Sequence, residues 1–276
     1  MQWVALDGTT SVLASYASKQ KNYHCPECRS TLRIRGGPHR QLHFYHLNAT
    51  PTCRQHKKSQ EHLLLQLFLY QSIPLGESQI ERPFSSINRI ADVAWEAKKM
   101  IFEIQCSSIS FQEVAERTSD YRSIGYEIIW ILHTKRFNRF RMTAAEAHLR
   151  KQPCYYSNMD KTGSGIIYDQ FEIIQGAKRL YKGAALKVDP LEIRSYPIQA
   201  PDDLPLSLRT RWESWTFCVN GDLLDRIQRL GTSWLHPLIA IEKKILTPSH
   251  SKASWISAIK TCYVTLLEKH LKQNAK

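Results

Sequence analysis

Between Ser59 and Leu132 the chain changes its hydrophobic period in a fixed order, and that order constrains the fold more than any single residue does. An apolar helical run opens at Ser59 and fades near Tyr70, ahead of the breakers Pro74 and Gly76. Strand-like runs follow at about residues 79–84, at Asn88–Trp95 and at Met100–Cys106, then a helical segment at about 111–124 and a strand at Tyr126–Leu132. Helices show apolar residues three or four apart, and half-buried strands show strict alternation. The order is αβββαβ, which predicts a mixed α+β or α/β core.

Two of these strands carry the residues of chemical interest. Glu96 to Lys99 is short enough to join them as a hairpin in which Trp95 faces Met100. Counting outward from that pair sets Asp92 opposite Glu103. Opposed Cβ atoms lie about 4.5–5.5 Å apart, and like charges there repel unless positive charge lies between them. Mg²⁺ or Mn²⁺, which take hard oxygen ligands and bind substrate phosphate directly, would supply that charge. Gln105 projects from the same face as Glu103. The alternative is structural, with Asp92 capping a strand end and Glu103 paired to Lys98 or Lys99.

The first 57 residues are polar and rich in Cys, His and Gly. Cys25-Pro-Glu-Cys28 sets two thiolates on a knuckle, as a tetrahedral Zn²⁺ site needs. A redox Cys-x-x-Cys opens a helix, and the sequence after Cys28 is not helical. Past the Gly36-Gly37 turn come His43-Phe-Tyr-His46 and then Cys53. The expected ligands are Cys25, Cys28, His46 and Cys53, with His43 as substitute, since His43 and His46 point to opposite faces of a strand. Such a closed site is structural; the alternative is a His-rich loop without an ion.

Lys and Arg number 38 against 25 Asp and Glu, a formal charge of +13. That excess points to a polyanionic partner, nucleic acid foremost. No run approaches the 18 or so apolar residues of a membrane span, and Met1 to Asp7 lacks the basic and apolar regions of a secretion signal. No membrane insertion and a cytoplasmic location are expected. Beyond residue 135 the signal weakens to a strand-like run at Gly165–Ile174, loop prolines at 190, 197, 201 and 205, and helical patterns near Leu223–Leu230 and Ser254–Leu271. The expected division is a zinc-ribbon-like β module at 1–57, the αβββαβ core at 58–135, and a basic, mostly helical extension at 136–276. In the extension Lys178-Arg179, Tyr181-Lys182, Arg209, Arg211-Trp212 and Trp215 suit either single-strand binding or ordinary packing. Cys154, Cys218 and Cys262 read as small buried apolar residues.

Taken together, Ser59-Gln-Glu61-His62, Arg89-Ile-Ala-Asp92-Val, Phe102-Glu103-Ile-Gln105-Cys-Ser107, Glu116-Arg117-Thr118 with Tyr121, and Ile129-Trp-Ile-Leu132 resemble the CoiA-like competence proteins. Cys25-Pro-x-Cys28 with His43-Phe-x-His46 is similar to that family's zinc-ribbon-like N-terminus, so the likeness spans about residues 20–133. The resemblance implies a PD-(D/E)xK restriction-endonuclease-like core. It further implies a metal-dependent DNA nuclease site of Asp92, Glu103 and Gln105, with Glu61 as a further ligand or water-positioning group. Arg117, on one helix face with Tyr121, would steady phosphate or else pair with Glu113; His62 is a candidate for proton transfer or a local hydrogen bond. The lysine of the wider E-x-K pattern is Gln105 here, which brings no positive charge. The implied setting is the handling of single-stranded DNA in transformation or recombination, with uptake or recombination proteins as partners. The rival readings are a DNA-binding accessory factor without catalysis and a defence or repair nuclease.

Overall fold

Ile128 to His133 are buried without alternation, a pattern that arises when both faces of a sheet are covered. The computed structural model describes residues 1–38, 40–48, 50–55, 58–195 and 199–247. The expected helical pattern at Ser254–Leu271, Cys262 and Pro197 lie outside the described residues.

The N-terminal part is a five-stranded antiparallel sheet of β1 (Val4–Asp7), β2 (Thr10–Leu13), β3 (Tyr23–His24), β4 (Thr31–Gly37) and β5 (Arg40–His46), in the order β2-β1-β3-β4-β5. It buries more apolar surface than its polar composition suggests. Trp3, Val4, Tyr23, Leu32 and Phe44 join one cluster with Leu63 and Leu65 of the next segment, and the Trp3 indole donates to the Leu63 carbonyl at 3.0 Å.

The next segment runs α1 (Gln60–Ser72), β6 (Ser78–Phe84), β7 (Arg89–Trp95), β8 (Met100–Gln105), α2 (Phe111–Ser123) and β9 (Glu127–His133). Ser59 caps α1 by accepting from the His62 amide, and Ile73, extended before Pro74, ends it. Ser110 and Glu113 open α2 in the Ser-x-x-Glu pattern of a capping box, with the serine accepting from the Glu113 amide. Asn88 and Lys99 take left-handed backbone at the two hairpin turns. Trp95 pairs with Met100 across the second hairpin, and β9 lies parallel to β8. Phe102, Ile104, Ile129 and Ile131 pack with α1, whereas Ile101, Ile128, Trp130 and Leu132 pack with Val114 and Tyr121 of α2. The two helices therefore cover opposite faces of the sheet.

The sheet does not stop near residue 135. After α3 (Ala144–Leu149), β10 (Cys154–Ser157) joins β9 in parallel, and β11 (Ile167–Asp169) extends the sheet. A hairpin of β12 (Glu172–Gln175) and β13 (Lys178–Lys182) precedes β14 (Leu186–Lys187), which completes a seven-stranded sheet in the order β14-β11-β10-β9-β8-β7-β6. The expected strand at Gly165–Ile174 is thus two strands in different sheets. Then come β15 (Asp189–Arg194), α4 (Leu206–Ser214), β16 (Cys218–Asn220), α5 (Leu223–Leu230) and α6 (His236–Leu246). Apart from the short helix α3, the extension is therefore strand-rich to residue 194 and becomes mostly helical from α4. Short strands separated by polar turns left little periodicity to read there.

Arg179 and Arg211, candidates for a strand-binding surface, are buried in ion pairs instead. Arg179 donates to Glu172 at 2.7 Å, to Glu146 at 2.8 Å and to the Tyr156 hydroxyl at 2.8 Å, and it also bonds the Arg139 carbonyl. Arg150 reaches Glu172 at 2.6 Å, and Arg211 reaches Asp169 at 2.6 Å. Trp212 and Trp215 are buried, as are Cys154 and Cys218. Cutting one partner from a buried ionic network leaves the others uncompensated. Arg179→Met is therefore expected to lose about 3–5 kcal/mol of unfolding free energy in urea titrations; a loss near zero would mean the network is not what joins the β12–β13 hairpin to α3.

Candidate metal centre and nuclease-like cleft

Two groups of functional residues sit on this frame. The first is in the N-terminal sheet, where Cys25 and Cys28 flank a tight turn closed by the Cys25 amide on the Ser30 carbonyl and the Arg29 amide on the Cys25 carbonyl. Arg29 takes φ 60 in that turn. His46, ending β5, and Cys53 complete the group, and one donor atom from each of the four residues lies within 4.8 Å of all the others. The Nε2 of His46 is 3.4 Å from the sulfurs of both Cys28 and Cys53, and the Cys25 and Cys53 sulfurs are 3.8 Å apart. A tetrahedral ion with bonds of about 2.0–2.3 Å holds its ligands about 3.3–3.8 Å apart. The donor set and its spacing therefore fit a metal ion. Although burial opposes it, hydrogen bonds from Ser30 and Thr50 bring the Cys28 thiol down to about 7, while burial pushes Cys25 and Cys53 up. A bound cation would offset that cost of burying thiolates. His43 stays outside the cluster, its ring accepting from Arg35 at 3.1 Å and meeting the Gln41 carbonyl.

The second group surrounds a cleft of about 480 Å³ where β7 and β8 part at the edge of α1 and α2. The ladder between these strands ends at Val93 and Phe102, one pair before Asp92 and Glu103. By the same register, with Ile80 opposite Val93 and Arg82 opposite Ala91, Glu81 stands across from Asp92 on the other side. Three carboxylates thus stand in one row across β6, β7 and β8, and all three are buried.

Their partners differ. One oxygen of Asp92 takes the Lys58 ammonium at 3.0 Å, His62 Nε2 at 3.0 Å and Gln66 Nε2 at 2.8 Å; the other takes the Ile104 amide at 2.9 Å. Burial pushes the Asp92 carboxyl up, but His62, Lys58 and the Ile104 amide outweigh it and hold the group well below the usual carboxylate range. Glu103, 1% exposed, takes Arg117 on one oxygen and the Tyr121 hydroxyl on the other, both at 2.8 Å. Burial raises its pKa against the pull of Arg117, and the Asp92 charge adds to the rise. Glu81 accepts the Trp3 and Val4 amides at 2.9 and 2.8 Å and Lys58 at 2.9 Å.

Where the sequence candidates land follows from these contacts. Asp92, Gln105 and Arg117 line the cleft, and Glu103 lies behind it. Gln105 turns its amide to the Ser107 carbonyl and hydroxyl. Arg117 bonds Glu113 and Glu103 together. Glu61 is not brought to Asp92: it pairs with Lys135 at 3.4 Å, because neighbouring helix residues diverge by about 100° and His62 occupies the side facing β7. Lys58, Gln66 and Glu81 were not anticipated. Residues 58, 62 and 66 are spaced four apart, a signal that was present; nothing in the sequence marks Glu81, whose backbone is left-handed at φ 49 within β6.

The profile of the competence protein CoiA N-terminal domain matches residues 6–56, and that of the CoiA nuclease-like domain matches residues 55–174. The chain belongs to the CoiA-like family. The CoiA nuclease-like match ends at residue 174, within β12, so it includes β10 and β11. No curated protein and no solved structure matches. Among the described residues, no helix is long and apolar enough to cross a membrane.

The donors of the acid pair do not fit a hard divalent cation as they stand. A carboxylate offers about four lone-pair sites, and Asp92 already meets four N–H donors. Both oxygens of Glu103 are engaged, and its partners come from α2, while the side chains that meet Asp92 come from Lys58 and α1. The cysteine cluster differs in offering donors that converge. Protein prepared without chelator is expected to carry about one tightly held metal ion per chain, counted by elemental analysis. Cys28→Ser should lose that ion and melt first in the five-stranded sheet, seen as early hydrogen exchange there. Full metal retention in Cys28→Ser would remove the residue from the ligand set.

Proposed function

We propose that this CoiA-like chain binds the phosphodiester backbone of DNA, single strands in particular, in the cleft above Asp92, and does so in transformation or recombination as a binding partner to uptake or recombination proteins. The observation that carries the reading is the charge balance of the cleft: Arg54, Lys58, Arg89 and Arg117 line it against Asp92 and Glu113. Arg54 is the most exposed of the four cations and is held by Glu27 at 2.6 Å. Phosphate oxygens meet fixed N–H donors there, and guanidinium groups can take them in pairs. The segment from Ser107 to Ser110, just ahead of α2, also lines the cleft, with hydroxyls and amides of the kind that position a backbone.

The same reading gives the fold its type and the cysteine cluster its ion. The αβββαβ order, with parallel β8 and β9 at its centre, supports a PD-(D/E)xK-type core. Three thiolates and an imidazole favour Zn²⁺ over hard cations. Zinc would stiffen the N-terminal sheet, whose Trp3 and Val4 amides grip Glu81. Residues 1–57, 58–135 and 136–276 then act as a zinc-ribbon-like module, the core and a supporting extension that completes the core's sheet.

A second reading is favoured by one observation, the row of carboxylates at the point where β7 and β8 separate. In it the chain hydrolyses DNA, Asp92 and Glu103 would hold Mg²⁺ or Mn²⁺, Gln105 would orient water, Arg117 would steady phosphate and Glu61 would stand further out. The bound ion would lower the pKa of water and polarise the phosphate. One assay separates the two. Labelled single- and double-stranded DNA is incubated with the protein in EDTA or in Mn²⁺, and binding and cleavage are read together. The expected result is binding in EDTA that falls with salt, no cleavage in either buffer, and a salt slope lowered by about 1 in Arg54→Gln. Mn²⁺-dependent cleavage lost in Asp92→Ala and Glu103→Ala would establish the nuclease instead, and no binding at low salt would dismiss both.

A further inference from the structure

Lys58 sits just ahead of the first helix, with its side chain 8% exposed. Its ammonium lies 2.9 Å from Glu81 and 3.0 Å from Asp92, so two of its three N–H donors bridge two of the carboxylates in the row. The third carboxylate, Glu103, has its own cation in Arg117 at 2.8 Å. Each acid of the row is therefore matched by a protein cation placed where a metal would compete for the same oxygens. The grip on Lys58 is deliberate in structural terms: Glu81 adopts left-handed backbone at φ 49 in mid-strand, and the Trp3 and Val4 amides hold its other oxygen. A non-glycine residue in that conformation persists only where its surroundings over-determine it. Lys58 also lines the cleft that Arg54, Arg89 and Arg117 share.

We infer that Lys58 is a built-in replacement for the divalent cation, so that the cleft keeps its acids neutralised and receives phosphate without a metal. An ammonium carries one charge where Mg²⁺ or Mn²⁺ carries two, and it donates hydrogen bonds where the ion accepts lone pairs. It neutralises Asp92 and leaves a donor for a phosphate oxygen, but it cannot ionise a bound water. Removing it should therefore do two things at once: weaken phosphate binding and open a cation site that the wild-type chain keeps shut. The inference rests on Asp92 and Glu103 being the acid pair of the cleft and does not require that DNA be the ligand.

The test uses full-length protein saturated with zinc, so that the cysteine cluster is occupied. Mn²⁺ is titrated into wild type and into Lys58→Met, with free Mn²⁺ read by its electron paramagnetic resonance signal and stability by melting temperature. Wild type should take up no Mn²⁺ beyond what Asp92→Asn takes up, and its melting temperature should not move. Lys58→Met should melt lower than wild type and recover on adding Mn²⁺ but not on adding Na⁺ at equal ionic strength, and Lys58→Arg should behave as wild type. Asp92-dependent Mn²⁺ uptake by wild type would overturn the inference, as would a folded Lys58→Met that ignores Mn²⁺. If Lys58→Met does not fold even with Mn²⁺, the wild-type comparison decides alone. DNA binding is measured on the same samples in EDTA: wild type that fails to bind refutes the proposed function and leaves the cation result standing, whereas wild type that binds while taking up Mn²⁺ at Asp92 refutes the inference alone.

Discussion

The structure depends on how three buried carboxylates in one row are kept from repelling one another. Bringing one unpaired carboxylate out of water costs several kcal/mol even after relaxation, so Glu81, Asp92 and Glu103 can share a strand crossing only if positive charge and N–H donors reach each of them. Lys58 and His62 arrive from the start of α1, Gln66 from its second turn, Arg117 and Tyr121 from α2, and amides from β1 and β8. Each of those elements is fixed partly by this demand. The Trp3 and Val4 amides on Glu81 dock the N-terminal sheet, and Arg117 on Glu103 sets the rotation of α2 over the central strands. The polar row does what a purely apolar core could not, since apolar packing tolerates small slips and a saturated hydrogen-bond network does not.

What could be read in advance follows from the range of the interactions involved. The αβββαβ order, the Trp95–Met100 pairing and the Ser59 and Ser110 caps are local, so period and turn chemistry reveal them. The grouping of Cys25, Cys28, His46 and Cys53 was legible because a knuckle and a strand parity rule select one histidine of two. The hairpin brings Asp92 and Glu103 to attention, but the Lys58 contact with Asp92 and Glu81 was not legible, because Lys58 lies 34 residues from Asp92 and 23 from Glu81 with no pattern linking them. Arg179 and Arg211 misled for a related reason: a cation beside aromatic residues has the same sequence signature whether it faces solvent or closes a buried ion pair. Residues 136–194 gave little because two- to six-residue strands hold too few alternations to register.

The cleft and the cysteine cluster are also joined through short covalent and polar paths. Cys53 is followed at once by Arg54, which lines the cleft and is held by Glu27 of the Cys25–Cys28 knuckle. Glu27 also accepts the Arg54 and Gln55 amides and approaches the Cys53 sulfur at 3.5 Å. The turn that gathers the thiolates therefore fixes the direction of a guanidinium on the rim. In this chain the knuckle thereby gives the cleft a rigid rim, because it needs no large core of its own to hold Arg54 in place.

Positive charge in a phosphate-handling cleft can come from any element that reaches it. Gln105 brings none to β8, yet the cleft keeps an ammonium, supplied from before α1 and steered by a strained glutamate on the far strand. An ammonium moved from one strand to a helix entrance still attracts phosphate, since Coulomb attraction depends on distance and surroundings and not on chain position. Its partners decide the rest. Bound to two carboxylates, Lys58 is spent mostly on neutralising the floor of the cleft, and in the proposed role the pull on a phosphate backbone would fall to Arg54, Arg89 and Arg117. Of these, Arg89 serves Asp120 and Glu113, Arg117 serves Glu103 and Glu113, and Arg54, the most exposed of the three side chains, is held at the rim by Glu27.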